Sequence, residues 1–474
     1  MRSTTSLGIG ALATLAVSVG CASEPELAST EELLRKNSFL PNGLPIHDST
    51  GYFTTVNSNG HQIDVSGAFF QNIGANGRRC VSCHLPTAGW TITPEQVQAI
   101  FDATDGGAIE EGFGLGAMFR TNDGSNSPDA DVSTLEARRE AYSMMLTKGL
   151  IRVSMPVPAN AEFELIDVQD PYGHSSAADL SMFRRPLPST NLRFLSTIMW
   201  DGRETQAIIR DGLLQQANDA TQGHAARPDP ISQAQREDIV NFELGLHTAQ
   251  VYDDKAGPLN TLGALGGPDA LIQQVFYVGI NDNFGDSRTG AAFTPIVFTL
   301  YQAWASLSGS GRNNRRAAIA RGEVLFNTKN IDIAGVSGIN DEEIFGTPAV
   351  VHGTCTTCHD TPNSGNHSVV APLDIGLVAE SERTPDMPLY TFRLKGTTQT
   401  KTVTDPGRAM ISGKWKHIGR FKGPILRGLS ARAPYFHNGS AATLADAVEF
   451  YNRRFGIGLT PQEKSDLAAF LSAL

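Results

Sequence analysis

"NGRRCVSCHLPTAGW", residues 76–90, sets two cysteines and a histidine within five positions, and "HGTCTTCHD", residues 352–360, repeats the arrangement. The chain has five cysteines, and four of them lie in these two motifs. A C-x-x-C pair alone reads as a redox dithiol, half of a zinc site, or a haem attachment. A dithiol has no need of the following histidine, and it sits after a strand in a βαβ pattern that is not visible here. Zinc would require the two motifs to combine, or further ligands at finger-like spacing, with thiolates kept reduced outside the cytoplasm. Covalent haem needs all three residues in this order. The cysteines add to the two vinyl groups, the intervening pair lets them straddle the ring edge, and the histidine supplies an imidazole to the iron. Two such motifs on one exported chain decide for haem. Cys80, Cys83, Cys355 and Cys358 are expected to attach two haem c groups, with His84 and His359 as the proximal iron ligands.

Export is read from the first residues. Arg2 is a short positive region, and Leu7 to Gly20 is uncharged and rich in Leu, Ala, Val and Gly. That run is too short to span a bilayer and suits a signal peptide. It stops at "VSVGC", residues 17–21, which looks like a lipoprotein junction with Cys21 as the lipidated residue, although Ser18 stands where a bulky aliphatic is usual. The expectation is a periplasmic protein anchored to the outer membrane rather than spanning it.

A length of 474 residues suits two or three domains of ~100–200 residues each. The net charge of −11 leaves no basic stripe to neutralise phosphates, which excludes a nucleic-acid binder and reads as a solubility feature. Along the chain, 1–21 is the signal and 22–60 a polar lead-in or tether. A first haem region runs over 61–250, a Gly-rich insertion or linker over 251–310, and a second haem region over 311–474. Helices are predicted over 134–148, after Ser232 with Gln235 in a capping box, over "NNRRAAIARGEVLFN", and after Thr460, where Pro461, Glu463 and the spacing Leu467, Phe470, Leu471, Leu474 agree. Few alternating strand patterns are visible. The predicted fold is mainly α: two cytochrome-c-like haem domains with long loops and an insertion.

Three stretches carry a family resemblance: "CVSCH" and "CTTCH" in that order, "TIMWDGRE" at 197–204, and "GRFKGPILRGLSARAPYFHNGSAATLADAVEFYNRR" at 419–454. Together they resemble the bacterial dihaem cytochrome c peroxidases and the related dihaem enzyme that matures methylamine dehydrogenase. The resemblance implies a reactive N-terminal haem and a C-terminal haem that stores and relays an electron. It makes Trp200 the relay between them. It also implies a calcium ion at the domain junction, held by the Asn191 side chain and the carbonyls of Arg432 and Pro434.

Two departures sharpen the expectation. Most such peroxidases carry a histidine downstream of the first motif that blocks its iron, whereas no histidine lies between His84 and His174 here. An open first iron is what peroxide chemistry needs. The family's distal acid or base falls in "LLQQANDATQGHA", where His224 is the first choice for moving a proton and Asp219 the rival. The family's methionine ligand to the second iron falls on Tyr451, fourteen residues after His437. The maturation enzyme uses a tyrosine in the corresponding region, and a phenolate would stabilise ferric iron where a thioether raises the potential. Met410 is the second choice, and His437 reads as structural.

The function expected is reduction of hydrogen peroxide at haem 1 with electrons relayed through haem 2. The electrons would come from a small periplasmic donor (a cytochrome c or cupredoxin) or from an oxidisable substrate. Three alternatives stay open: a dihaem oxygenase, radical maturation of a partner protein, and an electron carrier with both irons saturated. A homodimer is compatible with the sequence.

Overall fold

The structure, a computed structural model, describes residues 34–35, 38–109 and 113–474. The signal and Cys21 lie outside the described residues, as does most of the lead-in. The part of the lead-in that is described is built into the body of the protein. Strands Ile46–Asp48 and Gly51–Asn57 join Leu246–Asp253 and Gly257–Pro258 in a four-stranded antiparallel sheet.

The mainly α expectation is overturned. Helix accounts for 31% of residues and strand for 17%, with ten helices among the described residues beside several small sheets, so the fold is mixed α/β. The physical reason is that these strands carry no visible alternation. Most are three to five residues long, and Leu180–Arg184 is buried at every position, so no period of two can appear. The helix after Ser232 shows the same limit. Its capping box forms as expected, but the chain leaves the helix at Gly245 and enters a strand directly at Leu246. The single helix over 134–148 is two, Leu135–Ala141 and Ser143–Lys148, broken at Tyr142.

Two cores flank the two motifs. Around the first, Phe69, Phe70, Val81, Trp90, Ile239 and Val240 pack together, with Cys80 at the margin. Around the second, helix Arg312–Thr328 packs on helix Pro461–Ser472 through Ile319, Phe326, Leu467 and Phe470. The stretch read as an insertion is part of this second core. Glu323 accepts the backbone N–H groups of Leu300 and Tyr301, and Asn327 those of Val297 and Phe298, which fastens that stretch onto the helix.

The halves are joined by backbone. Phe163–Gln169, from the first region, pairs with Leu389–Leu394 of the second, which pairs in turn with Thr400–Val403. Beside this sheet, Arg184 is buried between Asp201 at 2.5 Å and Asp405 at 2.7 Å. Burial alone would lower the guanidinium pKa, and the two carboxylates more than reverse that.

Candidate functional site

Both motifs fold as one turn of 3₁₀ helix closed by a hydroxyl side chain. In the first, Ser82 Oγ accepts from the Arg79 N–H at 3.1 Å, and the N–H groups of Cys83 and His84 both bond the Cys80 carbonyl. In the second, Thr357 Oγ1 accepts from the Thr354 N–H at 3.0 Å, and Cys358 and His359 both bond the Cys355 carbonyl. The i, i+3 spacing brings each pair of thiols to one side of its turn.

None of the four cysteines forms a disulfide. Burial pushes the thiols up, Cys80 to about 12, Cys83 to about 11, and Cys355 and Cys358 to about 12. A redox dithiol requires the opposite shift. Among the described residues, no cluster of three or more His, Cys, Asp or Glu side chains could hold a metal ion. The two motifs therefore do not combine into a zinc site.

Each motif histidine is held with one ring nitrogen bonded and the other left to act as a ligand. His84 Nδ1 lies 3.1 Å from the Trp90 carbonyl, and His359 Nδ1 bonds the Gly365 carbonyl. A carbonyl only accepts, so each Nδ1 carries the proton and each Nε2 keeps its lone pair. Burial pushes His84 down to about 4 and lowers His359 as well, which keeps both imidazoles in the neutral, ligating form. An aromatic ring supports each one: Phe69 at 6.2 Å from His84 and Phe326 at 5.9 Å from His359.

A cavity of about 260 Å³ opens on Cys80, Cys83 and His84. His224, Glu243, Trp200 and Lys422 stand in its walls. Attachment thiols, a neutral imidazole and an apolar cavity coincide, so these residues fit a covalently bound haem c. His224 caps the helix Ile209–Gly223. Its Nδ1 pairs with Asp123, which is also paired with Arg78, while Arg78 Nη1 donates to the His224 carbonyl at 2.9 Å. Asp219, the rival, accepts from Gln215 and Asn218 on its own helix and is not part of the cavity wall.

Trp200 is half-buried at the seam between the two regions, with its indole N–H donated to the Arg185 carbonyl at 2.8 Å. Its ring is 6.1 Å from His437, which stacks on Phe421 at 4.0 Å. Phe421 pairs through its backbone with Leu373, a member of the apolar cluster that borders Cys355 and Cys358. Rings thus run from the first cavity towards the second motif. Lys422 Nζ lies 6.0 Å from the Trp200 ring, and burial, with Arg432 beside it, lowers the ammonium to about 8.

Tyr451, on helix Leu444–Arg454, lies within electrostatic reach of Cys358 and Cys355. Burial is the larger influence and raises its pKa. Met410 packs instead with Phe163, Tyr390 and Phe392, away from both motifs. His437 is buried with no partner for Nε2.

The residues expected to bind calcium do not fit it. Both ends of the Asn191 amide are committed to Thr248, Nδ2 to its carbonyl at 2.9 Å and Oδ1 from its N–H at 3.0 Å. The Arg432 carbonyl accepts from Arg185 Nη2 at 3.2 Å, and the same guanidinium binds the carbonyls of Lys148 and Ile92. A buried guanidinium already gathers oxygen atoms at this junction. Pro434 reaches the wall of the cavity instead.

Sequence reasoning missed Ser189, Asp123, Arg78 and Glu243. Glu243 did leave a signal. It falls four residues after Ile239, on the face of its helix that should be apolar. Burial raises its carboxyl to about 7.

Turns that present buried thiols and a neutral imidazole to a cavity define the class as a c-type haem protein. No family model matches the chain. Over 140 residues it is 31% identical to the cytochrome-c peroxidase IdrP1 of Pseudomonas sp. (strain SCT), covering 25% of this chain and 36% of that protein. Over 139 residues it is 34% identical to IdrP1 of Denitromonas iodatirespirans, again covering 25% and 36%. With the cytochrome c551 peroxidase of Nitrosomonas europaea it shares 27% identity over 141 residues, covering 29% of this chain and 35% of that one. The chain spans about a third of the length of the relatives it matches. Over the matched stretch the chain is similar to bacterial cytochrome c peroxidases.

Proposed function

We propose that the protein is an exported dihaem peroxidase that reduces hydrogen peroxide at the first motif with electrons delivered through the second. The observation that carries this is the cavity above His84, with His224 and Asp123 in its wall. A haem c held by Cys80, Cys83 and His84 would supply the two-electron reduction of hydrogen peroxide, which consumes two protons and yields two waters. In this reading His224 takes a proton from the bound peroxide and returns it to the departing oxygen. Asp123 fixes its ring by holding Nδ1, and Arg78 holds Asp123. Trp200, His437 and Phe421 provide the path for electrons between the halves. The donor is a small cytochrome c or cupredoxin in the periplasm, with Cys21 as the lipid-bearing residue.

The test is peroxide consumption by the as-isolated ferric protein with a reduced small c-type cytochrome as donor. Two haems per chain by pyridine haemochrome, a high-spin first haem and turnover are expected. An all-low-spin ferric spectrum that does not change on adding peroxide would instead identify an electron carrier. A second reading, a dihaem oxidase acting on a protein or organic substrate, is favoured by one observation. Tyr451, not a methionine, lies within electrostatic reach of Cys355 and Cys358.

A further inference from the structure

The two motifs are nearly identical in sequence and in turn geometry, yet different groups stand behind their imidazoles. His359 Nδ1 meets the Gly365 carbonyl. His84 Nδ1 meets the Trp90 carbonyl and, also at 3.1 Å, the hydroxyl of Ser189. Because the carbonyl can only accept, Nδ1 is the donor, and Ser189 Oγ must accept from it as well. The Ser189 hydroxyl proton is then free to be given to another acceptor. Glu243 is the acceptor at hand: it stands with Ser189 in the wall of the same cavity, and the Ser189 hydroxyl acts on its carboxyl. Both residues are buried, and Glu243 Oε2 has no hydrogen-bond partner. A buried carboxyl with one oxygen unanswered is costly unless it serves a purpose.

We propose that Ser189 and Glu243 are positioning residues that act through His84, pulling on its N–H so that the imidazole becomes a stronger donor to iron at the first motif only. The inference rests on the haem reading of the cavity. Its physics is that of outer-shell hydrogen bonds, which set the orientation and basicity of a ligating histidine. A more basic imidazole favours ferric over ferrous iron, so the asymmetry lowers the potential of the first centre. The second centre, with a lone carbonyl behind its histidine, is left as it is. Chemistry and electron storage are thereby divided between two otherwise equivalent attachment sites.

The experiment uses the full-length holoprotein and three variants, Ser189→Ala, Ser189→Thr and Glu243→Gln. Haem content by pyridine haemochrome comes first. Reduction potentials of both haems and the iron–histidine stretching band of the reduced first haem follow. Ser189→Ala and Glu243→Gln are expected to lower that band and to shift the first haem's ferric–ferrous equilibrium about tenfold towards ferrous, which is ~59 mV for a one-electron couple. The second haem should not move. Ser189→Thr keeps the hydroxyl and should keep the wild-type band. If Ser189→Ala loses haem, the isosteric Glu243→Gln decides. An unmoved band and potential in Glu243→Gln, or an equal shift at both haems, overturns the proposal. A wild-type protein that shows the expected shifts but consumes no peroxide would refute the peroxidase reading alone.

Discussion

Replacing Asp123 by Asn tests the distal machinery and separates its structural role from its chemical one. The Asp123 side chain is 9% exposed and Arg78 4%, so the substitution strips a buried guanidinium of its counter-charge. Breaking such a pair costs about 3–5 kcal/mol. Three carbonyls, those of Ala117, Met118 and His224, still receive the Arg78 N–H groups, which puts the loss at the lower end, about 3 kcal/mol. For a cooperative unit of about 150–250 residues that is a fall in Tm of about 6–12 °C. The chemical loss is separate. Without a carboxylate on Nδ1, His224 is no longer held in one tautomer and orientation, and peroxide turnover should fall by about 10²–10⁴-fold. His224→Ala is the control. Its side chain is 42% exposed, so it should lose the same turnover with little change in Tm. Differential scanning calorimetry and steady-state peroxide consumption read the two effects. Turnover equal to wild type in Asp123→Asn, at full haem loading, refutes the assignment of His224 and Asp123.

The Asp123 pKa sets an acid limit: burial would raise it, but Arg78 and His224 outweigh burial and hold it below the ordinary carboxylate value. Its stabilisation is present above ~3.9 and is lost as pH falls through the lower folded value, so acid unfolding should begin at higher pH in Asp123→Asn. Glu243 works in the opposite sense. Its folded value is raised to about 7, so stability should decline as pH rises from ~4.3 to 7, and Glu243→Gln should remove that slope in urea titrations at stepped pH. Chelators should leave turnover and Tm unchanged, because Thr248 engages the Asn191 amide and the Arg185 guanidinium the Arg432 carbonyl; a loss reversed by added Ca²⁺ would contradict this. Tyr451→Phe should change the EPR and optical signals of the second haem while Tm holds, and Tyr451→Met should raise that haem's potential. Unaltered second-haem signals in Tyr451→Phe would show that the phenol is not a ligand.

The parts that could be read from sequence are those where chemistry is local. The order of Cys80, Cys83 and His84 carries its meaning within five positions, and the Thr460 box with Pro461 announces its helix in four. His224 could be singled out as a candidate because few side chains near "NDATQGHA" can move a proton. What could not be read depends on distant partners. The strand Phe163–Gln169 becomes a strand because Leu389–Leu394 lies beside it, more than two hundred residues later. Asp123 gains its role from Arg78 and His224, each separated from it by a long stretch of chain. Asn191 matched a calcium ligand by position, but Thr248 claims its amide in space. A sequence shows which residue could bind and does not show which neighbour already has it.

The sheet that unites Phe163–Gln169 with Leu389–Leu394 has a consequence for the electron transfer proposed above. Strands in a ladder cannot slide by fractions of a residue, because a slip of one position turns every side chain to the opposite face. Here such a slip would expel Phe163 and Phe392, both fully buried. The spacing between the two attachment turns is therefore clamped by register. Crossing between them should be a property of fixed distance, insensitive to solvent viscosity, and what varies from turnover to turnover is only the arrival of the electron at the outer centre.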